Sequence, residues 1–259
     1  MRIIRYSYRG EKSFGLLEGS KVKKVKGSPF LNLNYGRVVA EFEEVELLPP
    51  VSPPNIIAIG LNYRKHAEES GSDIPKKPVV FLKATTSLTG PESKIKLPEI
   101  APDEVDYEAE LAVVIGKKAK NVSKKEALDY VFGYTCGNDV SARDCQKKLD
   151  KQWARAKSFD TFCPLGPWIE TDLEPDNCQI SSVLNGVVMQ ESNTADMIFN
   201  VREVVSYLSK NMTLLPGTVI MTGTPEGVGF ARKNPVFLRT GDKIEIKIEG
   251  IGTLSNCVV

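Results

Sequence analysis

Residues 105–116, VDYEAELAVVIG, place carboxylates at alternate positions directly before and within an apolar strand. Alternate side chains of a strand project from one face, so Asp106, Glu108 and Glu110 should lie side by side. Like charges at this spacing repel, and beside an apolar strand they stay solvated, take up a proton or bind a hard cation through oxygen. The motif alone fits a solvated strand end and a metal site equally well.

A second polar cluster lies in residues 133–148, GYTCGNDVSARDCQKK. We expect a strand to end at Asp139 and a helix to begin at Ser141. That helix would align Asp139, Arg143 and Gln146 on one face near its N-terminus, where they could meet an anion. The alternative is a helix cap with an ordinary salt bridge between the aspartate and the arginine.

His66 is the only histidine of the chain and lies three residues before Glu69 in the helix-forming segment RKHAEES, residues 64–70. One helical turn would bring the imidazole and the carboxylate together. Such a partner orients a histidine and raises its basicity, as a general base near neutral pH requires. A structural or exposed histidine is the alternative interpretation.

Residues 218–229, TVIMTGTPEGVG, predict a strand followed by a turn rich in glycine and threonine. Its glycines allow close backbone approach, and Thr224 offers a hydroxyl that could bind a carboxylate. The segment lacks the lysine and the glycine spacing of nucleotide loops, and a plain turn is the alternative. Lys83 and Lys157 are further candidate partners for a carboxylate.

Composition limits the classes of function that the chain can have. The net charge of +1 over 259 residues gives no global field toward nucleic acid or an anionic membrane. The basic cluster KVKKVK at residues 21–26 alternates with valine, which is typical of the solvated face of a strand. Five widely spaced cysteines, no apolar leader and no apolar run of about 18 residues indicate a cytoplasmic protein.

Hydrophobic patterns predict an α+β protein in which strands dominate. Short strands in residues 1–50 suggest a small β-rich N-terminal domain, and the proline run LLPPVSPPN predicts its boundary with a domain over residues 51–259. Besides residues 64–70, the patterns predict helices over residues 124–133 and 197–212 and one strand over residues 180–188.

Seven collinear segments together resemble the fumarylacetoacetate hydrolase family over nearly all of residues 51–250. They are IAIGLNYRKHAEE, PVVFLKATTSLTGP, VDYEAELAVVIGK, DYVFGYTCGNDVSARDCQ, WARAKSFDTFCPLGPWI, LNGVVMQESNTADMIF and LLPGTVIMTGTPEGVG. The resemblance implies the mixed β-roll of the family's C-terminal domain, usually as a homodimer.

The resemblance also implies roles for individual residues. One Mg²⁺ or Mn²⁺ per chain would be held by Glu108, Glu110 and Asp139, whereas Asp106 is not usually a ligand. The catalytic residues implied are His66 and Glu69 of a lid helix, together with Lys157 of the A-K-S-F motif. The residues that it implies for binding the substrate or its carboxylate are Arg143, Gln146 and Thr224, with Lys83 as a further candidate.

The implied activity is that of a metal-dependent enzyme acting on a small 2-oxo or 2-hydroxy-dienoic acid. The shorter family members favour a 2-hydroxyhepta-2,4-diene-1,7-dioate isomerase or an acylpyruvate-type C–C hydrolase, with oxaloacetate decarboxylase as the alternative. A non-catalytic homologue that binds a metal or ligand is the alternative of another class. The chain departs from the fumarylacetoacetate hydrolases proper near Asn62, where those enzymes carry a fourth metal-binding carboxylate.

Overall fold

Strands dominate the computed structural model, which describes residues 1–31 and 33–259. The strands are β1 Arg2–Tyr8, β2 Glu11–Glu18, β3 Lys21–Val25, β4 Tyr35–Glu41, β5 Glu46–Leu48, β6 Ile56–Gly60, β7 Val79–Lys83, β8 Leu88–Thr89, β9 Lys94–Ile95, β10 Val105–Asp106, β11 Ala109–Ile115, β12 Val131–Asn138, β13 Ser141–Ala142, β14 Cys163–Glu170, β15 Gln179–Leu184, β16 Val187–Asn193, β17 Val219–Met221, β18 Lys243–Ile248 and β19 Gly252–Val258. The predicted β-dominant α+β fold is confirmed.

Helices are few and short. The α-helices are α1 Arg64–Glu69, α2 Ala154–Lys157 and α3 Val201–Asn211. Single turns of 3₁₀-helix cover Phe42–Glu44, Thr85–Ser87, Ala127–Tyr130, Thr194–Asp196 and Gly229–Ala231, and a π-helical turn covers Cys145–Leu149. In the described part of the chain, no helix has the length and apolar character needed to cross a membrane.

The larger sheet runs in the order β4-β3-β2-β1-β14-β12-β11-β17-β6-β7, with β5 beside β1 and β8 beside β14. Its neighbours are antiparallel along this order except β17 and β6, which are parallel. The N-terminal strands therefore continue the sheet of the rest of the chain, because β1 pairs with β14. The domain boundary near residue 50 stays a prediction.

A second sheet, in the order β16-β15-β18-β19-β9, covers one face of the larger sheet together with α3. Asn200 and Glu203 form a capping box that starts α3, and the buried stripe of Val201, Val204 and Leu208 faces the main core. The opposite face of the larger sheet packs on a second apolar cluster that includes Phe14, Phe30 and Phe132.

Three local predictions were wrong in ways that have physical causes. The helix predicted over residues 124–133 is only a 3₁₀ turn, because β12 begins at Val131 and pairs with β11. The strand predicted over residues 180–188 is a hairpin, since Asn185 and Gly186 both adopt positive φ and form its turn. The helix expected from Ser141 is replaced by β13 and a π-helical turn.

Candidate active site

Strand register brings the predicted metal ligands together. In the β11–β12 pair Ala109 lies opposite Asn138, so Glu108 and Asp139 become neighbours, and the Asp139 N–H donates to the Glu108 carbonyl oxygen at 3.0 Å. Glu110 follows on the same face of β11. One carboxylate oxygen from each of the three acidic residues lies within 4.8 Å of the other two, and all three residues are buried.

Basic side chains neutralise two of these carboxylates. Lys157, the last residue of α2, donates from Nζ to Glu108 Oε2 at 2.8 Å and to Asp139 Oδ2 at 2.6 Å. Lys83 donates to Asp139 Oδ1 from the other side. Arg143 Nη2 lies 2.6 Å from Glu108 Oε1. Although burial opposes ionisation, the charges of Lys157 and Arg143 hold the pKa of Glu108 well below its usual range.

Glu110 has no basic partner among the described residues. Its Oε2 accepts a hydrogen bond of 2.8 Å from the Gly223 N–H, and its side chain is buried. Burial, followed by the negative charges of Asp139 and Glu108, raises the pKa of this carboxyl well above its usual range. The cluster therefore lacks a positive charge at Glu110, which a bound cation would supply.

The chemistry of the three donors fits the implied metal. Carboxylate oxygens are the ligands that hard cations such as Mg²⁺ and Mn²⁺ prefer, whereas zinc sites usually include nitrogen or sulfur. Glu108, Glu110 and Asp139 are therefore the residues of this chain that could hold such an ion.

The predicted pairing of His66 and Glu69 is present on α1. His66 Nδ1 lies 3.1 Å from Glu69 Oε2, and His66 is buried. Both Glu69 oxygens accept from the Gly227 N–H, at 3.0 and 3.1 Å. Gly227 has φ +92, and a Cβ there would clash with the Met189 carbonyl oxygen, so glycine is required at this contact. The helix and the 218–229 turn are thus tied together beside the carboxylates.

One cavity of about 390 Å³ is lined by His66 and by the carboxylate cluster. The predicted site residues that line it are His66, Glu108, Glu110, Asp139, Arg143, Gln146, Lys157 and Thr224. Glu69 and Lys83 lie outside this lining, the first behind His66 and the second behind Asp139. Apolar walls come from Phe81, Trp153 and Phe230.

The helical spacing had suggested that Arg143 pairs with Asp139. In the structure Arg143 pairs with Asp106 instead. The short strand β13 turns the chain so that Arg143 Nε donates to Asp106 Oδ2 at 2.9 Å. The backbone N–H groups of Gly229 and Phe230 also donate to Asp106. Asp106 is therefore the anchor of Arg143, a role that its alternation with Glu108 and Glu110 in the sequence concealed.

Gln190 also supports the site, although no motif or spacing in the sequence pointed to it. Its Oε1 accepts from the Ala109 N–H at 2.9 Å, and its Nε2 donates to Thr224 Oγ1 at 2.8 Å. Gln190 lies on β16, far along the chain from both partners, so spacing could not reveal these contacts. They fix the position of the Thr224 hydroxyl and leave its own proton free to be donated.

Asn62 has a structural place in this chain. Its Nδ2 donates to the carbonyl oxygens of Thr222 at 2.7 Å and Phe199 at 3.0 Å, and its Oδ1 accepts from the Phe199 N–H at 2.9 Å. The side chain is fully buried. It joins the β6–α1 connection to two distant segments.

We expect Asn62→Asp to lower the free energy of unfolding by about 3 kcal/mol, because a buried carboxylate would face two carbonyl oxygens that lose their donor. Urea denaturation would measure this loss, with Asn234→Asp, at an exposed position, as the control. Equal stability of the two variants would contradict the role assigned to Asn62.

Two family models match the chain. Residues 55–259 match the family model described as fumarylacetoacetate (FAA) hydrolase C-terminal, and residues 1–50 match one described as Rv2993c-like, N-terminal. The chain is 48% identical over 220 residues to the mitochondrial oxaloacetate tautomerase of Xenopus laevis. The matched region covers 83% of this chain and 69% of that protein.

Two solved structures share the whole fold. The 5-carboxymethyl-2-hydroxymuconate delta-isomerase from Mycobacterium smegmatis has a TM-score of 0.91 and 44% identity. The maleylpyruvate hydrolase from Sphingobium sp. SYK-6, solved with manganese(II) and pyruvate, has a TM-score of 0.81 and 30% identity. Each comparison covers 100% of this chain and 99% of the other chain.

The relatives are named for isomerase, tautomerase and hydrolase activities, and the prediction that this chain is an enzyme is confirmed. The family model covers well over half of the chain, and the resemblance drawn from the seven segments is confirmed with it. The chain belongs to the fumarylacetoacetate hydrolase family.

Proposed function

We propose that this protein is a metal-dependent enzyme that moves protons between the keto and enol forms of a small 2-oxo acid. One observation carries the proposal: a single cavity is lined both by the buried carboxylate cluster and by His66, which Glu69 contacts from behind. A cation site and a general base in one cavity are what enolisation beside a carbonyl requires.

The metal would be held by Glu108, Glu110 and Asp139, as one Mg²⁺ or Mn²⁺ per chain. When bound, it would supply a Lewis acid that stabilises negative charge developing on the 2-oxygen of the substrate. Lys157 keeps two of the three carboxylates in place through its hydrogen bonds. Two of the three N–H groups of its ammonium donate to them, so we assign it to positioning these ligands.

His66 is the proposed base. Because Glu69 engages Nδ1, Nε2 is the ring nitrogen left to accept a proton from C3 of the substrate. The C3–H bond breaks and its electron pair forms the C2=C3 bond, while the C2=O π pair moves to the 2-oxygen. That oxygen takes up a proton from solvent, and the protonated His66 returns its proton to solvent. Hydrogen bonds from Gly227 to Glu69 fix the carboxylate that orients the imidazole.

Other side chains are placed to bind substrate oxygens. Thr224 accepts a hydrogen bond from Gln190, so its own hydroxyl proton is available to a substrate oxygen. Arg143 Nη1 donates to Gln146 Oε1 at 2.8 Å, which leaves the amide nitrogen of Gln146 as a further donor. We propose that these donors bind the substrate carboxylate or its 2-oxygen.

The names of the relatives support proton transfer as the first candidate. Oxaloacetate tautomerases of several vertebrates are 44–48% identical to this chain, and the Mycobacterium smegmatis delta-isomerase is 44% identical. C–C bond hydrolysis is the second candidate, supported by the likeness to maleylpyruvate hydrolase. In that reaction His66 would take its proton from the attacking water.

Metal removal and restoration test the proposal. We expect a chelator-treated sample to convert enol-oxaloacetate to its keto form about 100-fold or more slowly. Added Mg²⁺ or Mn²⁺ should restore the rate. The decay of the enol's ultraviolet absorbance measures tautomerisation. Release of carbon dioxide from oxaloacetate and cleavage of an acylpyruvate measure decarboxylation and C–C hydrolysis in parallel, and a 2-hydroxy-dienedioate tests isomerisation.

The outcomes separate the candidate functions. Restored activity on one substrate class would support the metal site and identify the reaction. Inactivity on all of them, with Mn²⁺ demonstrably bound, would contradict the proposal and favour the non-catalytic homologue.

A further inference from the structure

Lys147 is a basic residue of the cavity wall to which the family resemblance gave no role. It lies in the π-helical turn Cys145–Leu149, and its side chain lines the cavity although the residue is exposed, so it stands at the opening. Its Nζ lies 3.6 Å from the centre of the Phe230 ring. Turns of π-helix often occur at functional sites.

The charge of Lys147 is not neutralised by the described part of the protein. Arg143, one turn earlier, is paired with Asp106 and Glu108. Lys148, the next residue, is paired with Glu104 away from the cavity. Lys147 forms no ion pair with a carboxylate in that same set of residues, so a positive charge at the cavity opening is left for a ligand.

Contacts through Phe230 relate this charge to the carboxylate cluster. The guanidinium carbon of Arg143 lies 4.3 Å from the centre of the same ring that Lys147 contacts, and Arg143 also touches Glu108. Lys147 and Arg143 therefore contact the same aromatic ring of the cavity wall. The cavity has a carboxylate cluster at its base and an unpaired ammonium at its opening.

We propose that Lys147 is a specificity-determining residue that binds the distal carboxylate of a dicarboxylic 2-oxo acid. This inference rests on the proposed function, because it assumes that the 2-oxo acid end of the ligand lies at Glu108, Glu110 and Asp139. A dicarboxylate would then extend from the cluster to the opening and meet the free ammonium. A monocarboxylate of equal length would bury the same chain without this ion pair.

Two ligands of equal carbon number isolate the distal carboxylate. We would measure the Kd of 2-oxoglutarate and of 2-oxopentanoate by calorimetry, with the 259-residue protein saturated with Mg²⁺. The variants are Lys147→Met, which keeps an unbranched apolar side chain but removes the charge, Lys147→Arg, which keeps the charge, and Lys148→Met as the matched control. Binding is measured without turnover.

We expect the wild-type protein to bind the dicarboxylate about tenfold more tightly than the monocarboxylate. Lys147→Met should abolish this preference by weakening only 2-oxoglutarate, whereas Lys147→Arg and Lys148→Met should retain it. Raised salt should reduce the preference, because an ion pair near solvent is screened.

Three results would overturn the inference: no preference in the wild type, equal weakening of both ligands by Lys147→Met, or equal effects of Lys147→Met and Lys148→Met. Failure of the proposed function is distinguishable from these. The protein could show the preference that depends on Lys147 and yet turn over no 2-oxo acid. That result would support the specificity site and contradict the proposed activity.

Discussion

Replacement of His66 by alanine should lower kcat for proton transfer by about 10²- to 10⁴-fold, which is the range that a positioned general base contributes. His66 is the only histidine of the chain, so no second imidazole can replace it. Its side chain is buried on α1 against Glu69 and supplies no oxygen ligand. We therefore expect Mn²⁺ affinity to stay within about twofold of the wild type, since hard cations bind the carboxylates.

Rate and metal affinity must be measured on the same preparations. Steady-state kinetics on the 2-oxo acid gives kcat, and titration with Mn²⁺ followed by electron paramagnetic resonance gives the affinity. Glu69→Gln is the graded companion, because it keeps an acceptor for His66 but removes the charge that orients it; its loss should be smaller. Full turnover by His66→Ala would show that another group is the base.

Glu110→Gln should abolish the stabilisation that Mn²⁺ gives to the wild-type protein. A ligand at 100 times its Kd raises the free energy of unfolding by about 2.7 kcal/mol, and a variant that cannot bind gains none of this. Without metal the variant should be at least as stable as the wild type. The neutral amide replaces a carboxyl whose ionisation is opposed by burial and by the charges of Asp139 and Glu108, and it still accepts from Gly223.

Urea denaturation with and without Mn²⁺ provides the four free energies that this prediction needs. Glu191→Gln, an exposed position on β16, is the matched control and should keep the full response to the metal. Equal stabilisation of Glu110→Gln and the control by Mn²⁺ would show that Glu110 is not a ligand. A large loss of stability in the metal-free variant would show that the carboxylate is compensated in the native state.

Local patterns predicted much of this molecule because the decisive signals are local. Alternation identified the strand that became β11 and placed Glu108 and Glu110 on one face. Helical spacing brought His66 to Glu69. Both relations depend only on the repeat of a single element, which the sequence displays directly.

Contacts between distant segments were beyond such patterns. Arg143 pairs with Asp106 instead of Asp139 because β13 interrupts the expected helix, and pairing of β10 with β13 is set by the whole fold. Lys83 reaches Asp139 across 56 positions of the chain. The position of Lys147 depends on a π-helical turn, whose wider repeat changes which residues face the cavity.

Strand β11 has no solvent-exposed face. Leu111 and Val113 pack into the main core, whereas Ala112 and Val114, on the same face as Glu110, pack into the second cluster. Insertion or deletion of one residue before Leu111 would exchange the two faces of the strand. The acidic side chains would then point into the apolar core. Evolution of this strand is therefore confined to substitutions. New substrates have to be acquired through the segments around the cavity opening, where a length change leaves the acidic cluster intact.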